Sequence, residues 1–401
     1  MRVSTSFMQL RALNAVLGNQ AALSDVQQQV ATGKRILSPA FDPVGSARAL
    51  DLSAFNASIE QFQRNIQAGT SRLGLEENAL TSSENVLQRV RELSLQGINP
   101  TLNDGARGDI ASELRERLDQ LVQLANSRDG NGEFLFSGNQ TRTQPFVRSN
   151  APGAPVSYVG DQGQRLLAVG PAGALASGDP GSDVFMQIAD GNGGFVVVAG
   201  AGNTGSLIVG SNQVSDPGAF TGASFTVQFS SASGYDILDA SNAVVASGSY
   251  SGNDTITFQG MQLALSGEAV AGDRFSLAAS TSQDVFTSVQ QLIDALRQPI
   301  ANDTQRAAVS NTMNRALEGL DNALGRIIDT RAGVGARLNA MEQQRDANET
   351  MKLQIATDLS AVENVDLSEA VSRMSQQLGA LEASQQSFVR IQNLSLFNFL
   401  R

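Results

Sequence analysis

The 401-residue sequence contains no cysteine, no histidine and no tryptophan. Without cysteine there is no disulfide, no thiolate nucleophile and no zinc site of the usual thiolate kind. Without histidine the commonest general base and the commonest metal ligand are missing as well. A carboxylate pair, or a serine with a lysine, remains for catalysis, and no such pair stands out. A zinc-protease helix of the His-Glu-x-x-His type is excluded by composition. The expectation is a protein that is not an enzyme and carries no cofactor. Positive charge is also scarce: 28 Lys and Arg against 39 Asp and Glu leave a net charge of −11. That balance opposes nucleic acid as a partner, because phosphates are bound by basic surfaces that release counterions. It opposes an anionic membrane surface for the same reason. No window is apolar enough to span a bilayer, so membrane insertion is not expected. The opening Met1-Arg2-Val3-Ser4-Thr5-Ser6-Phe7 lacks the apolar core and cleavage site of a secretory signal. The chain is therefore expected to stay in the cytoplasm or to leave it without a cleaved signal.

What is present divides into three parts. Residues 1 to about 135 read as helix. Val16, Leu23, Val26 and Val30 are spaced by sevens, threes and fours and share one face. A break follows at Ser38-Pro39, after which Asp42-Pro43 has the form of an N-cap and first turn. The next helix runs through Leu50, Leu52, Ile59, Ile66, Leu73, Leu80, Val86, Val90 and Leu93 until Asn99-Pro100 stops it, and Ile110, Leu114, Leu118 and Leu121 turn back. The C-terminal part mirrors this. Met313, Leu317, Leu320, Leu324, Ile327, Val334, Leu338 and Met341 fill successive a and d heptad positions, interrupted once by Arg331. A second seam runs through Val371, Met374, Leu378, Leu381 and Phe388. The middle differs in kind: 25 of the 38 glycines lie between Gly130 and Gly272, among short alternating segments such as Phe225-Thr226-Val227-Gln228-Phe229. The fold class is thus α+β, a long antiparallel helical bundle or coiled-coil rod built from both chain ends with an inserted all-β domain, a sandwich or barrel-like unit.

Four segments stand out. Thr32-Gly33-Lys34-Arg35 leads into Asp42-Pro43. By local physics it is a helix stop with basic residues at the negative end of the dipole. Leu87 to Gln96 reads as an amphipathic helix with charges on its wet face. Phe134-Leu135-Phe136-Ser137-Gly138 reads as a strand ending in a turn. Leu394, Leu396, Phe397, Phe399 and Leu400 are too many apolar groups for a free tail, so the chain end is expected to dock.

Together with Pro145-Phe146, Tyr158-Val159-Gly160-Asp161, Arg331-Ala332-Gly333-Val334 and Glu363-Asn364-Val365-Asp366, these segments resemble the flagellin superfamily, and within it the hook–filament junction subunits. The β-domain entry separates that group from the filament flagellins, which are the alternative. Ala40-Phe41 departs from the polar residues usual before Asp42-Pro43. The resemblance implies a structural subunit of the bacterial flagellum, outside the cell, that joins hook to filament. It divides the chain into an inner-tube helix (1–40), half of the helical rod (41–144), a β-rich surface domain (145–283), the other half of the rod (284–362) and a second inner-tube helix (363–401). It implies homo-oligomeric assembly between the first hook-associated junction protein and flagellin, after export by the flagellar type III route with a dedicated chaperone. The inner-tube residues would be Val16, Leu23, Val26, Val30, Val371, Met374, Leu378, Leu381 and Phe388. The rod core would be Leu317, Leu320, Leu324, Ile327, Val334 and Leu338. By resemblance to the flagellin helix read by an animal innate immune receptor, Arg89, Leu93 and Glu113 are candidate receptor contacts. A glycan- or host-binding role for the β domain stays open; an inserted surface zinc protease, of the kind some flagellin-like proteins carry, needs a His-Glu-x-x-His helix that this sequence lacks.

Overall fold

The computed structural model describes residues 5–149 and 153–393, so the apolar chain end from Leu394 to Leu400 lies outside the described residues. The chain forms two compact units, Met1–Arg64 with Gln344–Arg401, and Asn65–Gln343. The terminal regions supply long helices: α1 (Thr5–Thr32), α2 (Pro43–Gly97), α3 (Asp104–Ala125), α4 (Val285–Leu296), α5 (Asp303–Glu363) and α6 (Leu367–Asn393). Each starts or stops where local chemistry directs. Gly33 takes φ of 71° just past α1, a conformation glycine adopts without steric cost. Asp42 Oδ1 accepts the Gly45 N–H at 2.8 Å to cap α2, and Asn103 and Asp284 cap α3 and α4 in the same way.

In the second unit α2, α3, α4 and α5 share one apolar core. α2 and α5 are antiparallel there, as the pairs Arg91–Asp321 at 2.7 Å and Arg331–Glu77 at 2.7 Å show. α2 also comes close to α4: a Cβ on Gly97 would stand 2.6 Å from Leu296 Cδ2. Arg331, the interruption in the heptad pattern, answers both Glu77 and Glu84 on α2, so the seam continues across it as an ion-paired layer.

The strands lie between Phe146 and Gln283 and divide into two sets. Five of them, β1 (Phe146–Arg148), β2 (Val156–Tyr158), β3 (Leu166–Gly170), β4 (Gly173–Ala176) and β5 (Ile188–Ala189), form short pairs, β5 with the late strand β14 (Ser282–Gln283). Their apolar residues Phe146, Val156, Val169 and Ile188 belong to the helical core. The second set is β6 (Phe195–Ala199), β7 (Ile208–Val214), β8 (Phe225–Ser231), β9 (Gly234–Asp239), β10 (Val244–Ser249), β11 (Asn253–Phe258), β12 (Met261–Ser266) and β13 (Arg274–Ala279). It makes two antiparallel sheets, in order β10-β9-β8-β13-β6 and β11-β12-β7, with a separate core between them that includes Phe195, Phe229 and Phe275 from one sheet and Val209, Ile256 and Leu263 from the other. The observed sandwich is therefore smaller than the single β unit expected from glycine content. The stretch from 146 to 189 is rich in turns, yet its aromatic residues bury against helices.

The segment Phe134 to Gly138 also differs from expectation. It is not a strand but an irregular stretch held by one antiparallel bridge, Arg128 with Phe134. Phe134, Leu135 and Phe136 are all buried in succession, Leu135 and Phe136 within the helical core. Phe136 meets Phe185 edge-on at 5.3 Å between ring centroids, and Phe146 meets Tyr158 and Phe286 at 5.2 and 5.3 Å.

The sandwich is held to α5 by a polar ladder. Asn311 Oδ1 accepts the Val209 N–H at 2.7 Å, Asn311 Nδ2 donates to Leu207 O at 2.9 Å, and Asn314 Nδ2 donates to Val209 O at 2.8 Å. β7 is an edge strand, and these carboxamides supply main-chain partners that a neighbouring strand would otherwise provide. Arg315 pairs with the buried Asp190 at 2.6 Å. Asn212 donates to Glu318, whose carboxyl is pushed up to about 7, chiefly by burial. Elsewhere in the second unit, Glu76 Oε1 accepts the Asp179 N–H at 3.0 Å. Its other oxygen is buried without a partner among the described residues. Burial, and then the Asp179 carboxylate beside it, push the Glu76 carboxyl up to about 8.

Candidate assembly site

α1 and α6 pack along each other in the first unit. They run antiparallel, since Lys34 bridges Asn364 while Asn19 Nδ2 donates to Ala380 O at 3.2 Å. On α1 the covered line is Gln9, Ala12, Val16, Asn19, Leu23, Val26 and Val30, with Leu23 and Val26 buried and the others half-buried. On α6 it is Ala370, Met374, Gln377, Leu381, Ser384, Phe388 and Ile391, of which Ala370 is buried. Both lines step by threes and fours, a heptad seam in which Gln9, Asn19, Gln377 and Ser384 are the polar members.

Seven of the nine inner-tube residues predicted from the sequence lie on this seam. The other two, Val371 and Leu378, are 46% and 41% exposed and face away from it. The physical reason lies in the pattern. Met374, Leu381 and Phe388 form one line of the seam, and either flank completes a heptad. The more apolar flank is Val371 and Leu378; the flank that is covered is Ala370, Gln377 and Ser384. Apolar periodicity alone selects the wrong flank and thereby finds the outward one. With Leu367 and Val389, both exposed, Val371 and Leu378 make an open stripe on α6. α1 has a counterpart that sequence reasoning missed, Leu10, Leu13 and Leu17, at 62%, 42% and 54% exposure. Spacings of three, four and seven were the available signal. Two packed helices that each keep an apolar stripe exposed present a candidate interaction surface.

The rod residues show the same displacement by one position, with a different result. Leu320, Ile327 and Val334 are fully buried in the core of the second unit, in line with Met313 and Met341. The adjoining buried line is Ala316 and Ala323, while Leu317, Leu324 and Leu338 are partly buried and packed against that core. Of the three candidate receptor contacts, Leu93 is 2% exposed inside the helical core and presents no surface in this fold. Arg89 pairs with Glu92 and Glu113, each at 3.1 Å, and these hydrogen bonds raise its pKa. The described residues hold no group of three acidic side chains arranged for a metal ion, and none of their helices is long and apolar enough to cross a membrane.

Known proteins agree with this architecture at both ends and over the whole length. Residues 3–141 match the bacterial flagellin N-terminal helical region and residues 317–400 the bacterial flagellin C-terminal helical region. Flagellar hook-associated protein 3 of Escherichia coli K12 is 24% identical over 398 residues, covering 99% of each chain. The crystal structure of Xanthomonas campestris FlgL is 35% identical, with a TM-score of 0.72, over 76% of this chain and 98% of that one. Flagellar hook associated protein-3 from Legionella pneumophila is 33% identical, with a TM-score of 0.74, over 78% and 98%. Phase 1 flagellin of Salmonella naestved matches over 143 residues, 35% of this chain and 28% of its own. That partial match favours a junction subunit over a filament flagellin. The chain belongs to the hook-associated protein 3 (FlgL) family of flagellar hook–filament junction proteins, within the flagellin superfamily.

Proposed function

We propose that this flagellar junction subunit assembles with copies of itself through the two open stripes of its α1–α6 pair. The observation that carries this reading is the pair's one-sided burial: Leu10, Leu13 and Leu17 on α1, and Leu367, Val371, Leu378 and Val389 on α6, remain exposed beside a seam that is already occupied. Each large aliphatic side chain taken out of water adds roughly 1.5 to 3 kcal/mol. A subunit with unfilled stripes on both helices therefore gains from neighbours on two sides. Such contacts join unlike surfaces of adjacent copies, so they build an open helical array that other proteins at its ends must limit. In this reading those are the first hook-associated junction protein on the hook side and flagellin on the filament side. We assign residues 1–40 and 363–401 to the inner tube, 41–144 and 284–362 to the rod, and 145–283 to the surface domain.

The same stripes account for export. A chain whose end helices lack their final cover needs a chaperone that shields them until assembly, and helix-in-groove capture of α6 is the suitable chemistry. Export through the flagellar type III route, without a cleaved signal, completes the reading; the reactions expected of the subunit are binding and folding alone.

The test is complementation of cells lacking this gene with Leu13→Asp and Leu378→Asp chains. Hooks that carry the first junction protein but no filament are the expected outcome, and the Leu13→Asp chain, whose α6 is unaltered, should still be secreted. Normal filaments from the doubly substituted chain would refute the proposed surface.

A further inference from the structure

The two motif segments from opposite ends of the sequence, Thr32-Gly33-Lys34-Arg35 and Glu363-Asn364-Val365-Asp366, meet in the first unit. The break between α1 and α2 lies against the break between α5 and α6, and main-chain bonds join them. Arg35 N donates to Glu363 O at 2.6 Å and Val365 N donates to Gly33 O at 3.0 Å, on either side of the antiparallel bridge between Lys34 and Asn364. Side chains reinforce the contact: Lys34 Nζ pairs with Glu363 at 3.0 Å, and Arg35 Nη2 donates to Val362 O at 2.8 Å. Gln29 Nε2 donates to Arg35 O at 3.0 Å, tying the clasp to the last turns of α1. Val365 is buried within it. Asp366 begins α6 immediately afterwards by accepting the Ser368 and Glu369 N–H groups at 2.8 and 3.2 Å.

The α1–α6 seam, in contrast, specifies its own register weakly. With Asn19 level with Ala380 and Lys34 level with Asn364, antiparallel stepping sets Leu23 near Gln377, Val26 near Met374 and Val16 near Ser384. A slip of one heptad, about 10 Å at the usual helical rise, sets Leu23 near Ser384, Val26 near Leu381 and Val16 near Ile391. The apolar content of the two alignments is similar, and a seven-residue repeat is blind to such a shift. We infer that the clasp between residues 33–35 and 363–365 sets the register of the α1–α6 pair, and with it the offset between the two open stripes. The contacts act through main-chain groups, so they fix a position along the helix axis that the seam side chains leave undecided. Only the consequence for assembly rests on the proposed function; the register itself is a property of the single chain.

The absence of native cysteine makes the test direct. Asn19→Cys is combined in turn with Arg373→Cys, Ala380→Cys and Ser387→Cys in the full-length chain, and disulfide formation is followed in dilute solution. The native register predicts that the 19–380 pair closes at least about tenfold faster than the other two, through proximity. In chains that also carry Arg35→Ala and Val365→Pro, the preference is expected to fall to within about threefold. Gly33→Val, which forces a branched side chain into a φ of 71°, is an independent way to open the clasp and should act in the same direction. Retention of the full 19–380 preference in both clasp variants overturns the inference. So does the loss of closure at all three positions, because the clasp would then hold the helices together instead of choosing their alignment. A parent chain without preference for 380 overturns it as well. Failure of filament growth with an intact 19–380 preference would count against the proposed assembly surface and leave the register role standing.

Discussion

α5 and α6 carry the same kind of heptad pattern but fill it differently. On α5 the line of Met313, Leu320, Ile327, Val334 and Met341 is buried, with both flanks in contact: Ala316 and Ala323 on one side, Leu317, Leu324 and Leu338 on the other. On α6 the line of Met374, Leu381 and Phe388 is half-buried with one flank covered and the other, Val371 and Leu378, open. The difference comes from the number of neighbours the chain provides. α5 belongs to a core shared with α2, α3 and α4, whereas α6 has α1. An amphipathic helix with a wide apolar arc needs more than one partner to cover it. Where the chain supplies the partners, the pattern makes a core; where it does not, the remainder is available to another molecule.

The largest effect should come from breaking the α5 side. Ile327→Asp places a charge where the side chain is 1% exposed. It should cost the second unit about 4 kcal/mol or more, seen as loss of cooperative unfolding in denaturant titration. Next in size is the buried Glu76. Its pKa of about 8 in the folded chain stands above the ordinary 4.5, so the folded state holds a proton that the unfolded state releases. That stability is fully present below about pH 4.5 and is lost as pH rises through about 8. Glu76→Gln keeps a neutral side chain throughout. The variant should therefore match the parent at acid pH and exceed it by on the order of 2 to 4 kcal/mol near pH 9. Equal pH dependence of the unfolding midpoint in the two chains would remove the buried acid from the account.

Asn311→Ala should have an intermediate effect, because it leaves Val209 N–H and Leu207 O on the edge of β7 without their partner. A loss of about 1 to 2 kcal/mol in the docking of the sandwich is expected, read as faster amide exchange at Val209 with the rest of the sandwich protected. No sequence signal marks this ladder, since asparagines on a helix face look like ordinary solvent-facing residues. The same limit recurs elsewhere. The helices, their stops and the seam lines were legible because glycine, proline, Asp42 and heptad spacing act locally. The flank of each seam was not legible, because Ala316 and Ala323 are covered by residues distant in sequence while the larger Leu317 and Leu324 only flank them. Phe134 to Phe136 misled for a related reason: three consecutive apolar residues resemble a strand until the aromatic cluster around them is known. Leu93 is the opposite case: its spacing from Val86 and Val90 already puts it on the apolar line of α2, where it is buried, and only the resemblance to a receptor-read helix offered it as surface.

The smallest effect on the isolated chain sharpens the comparison most. Leu381 lies on the seam with α1 and Leu378 on the open stripe three residues before it. Leu381→Asp should weaken the α1–α6 pair by about 1 to 3 kcal/mol, giving faster amide exchange along both helices. Leu378→Asp should change the same measurement by less than about 0.5 kcal/mol, as for a substitution at a surface position. Both are expected to stop filament growth. If Leu378→Asp loosened the isolated pair as much as Leu381→Asp, the open stripe would be part of the intramolecular seam, and the contrast between a helix filled by its own chain and one left for neighbours would fail.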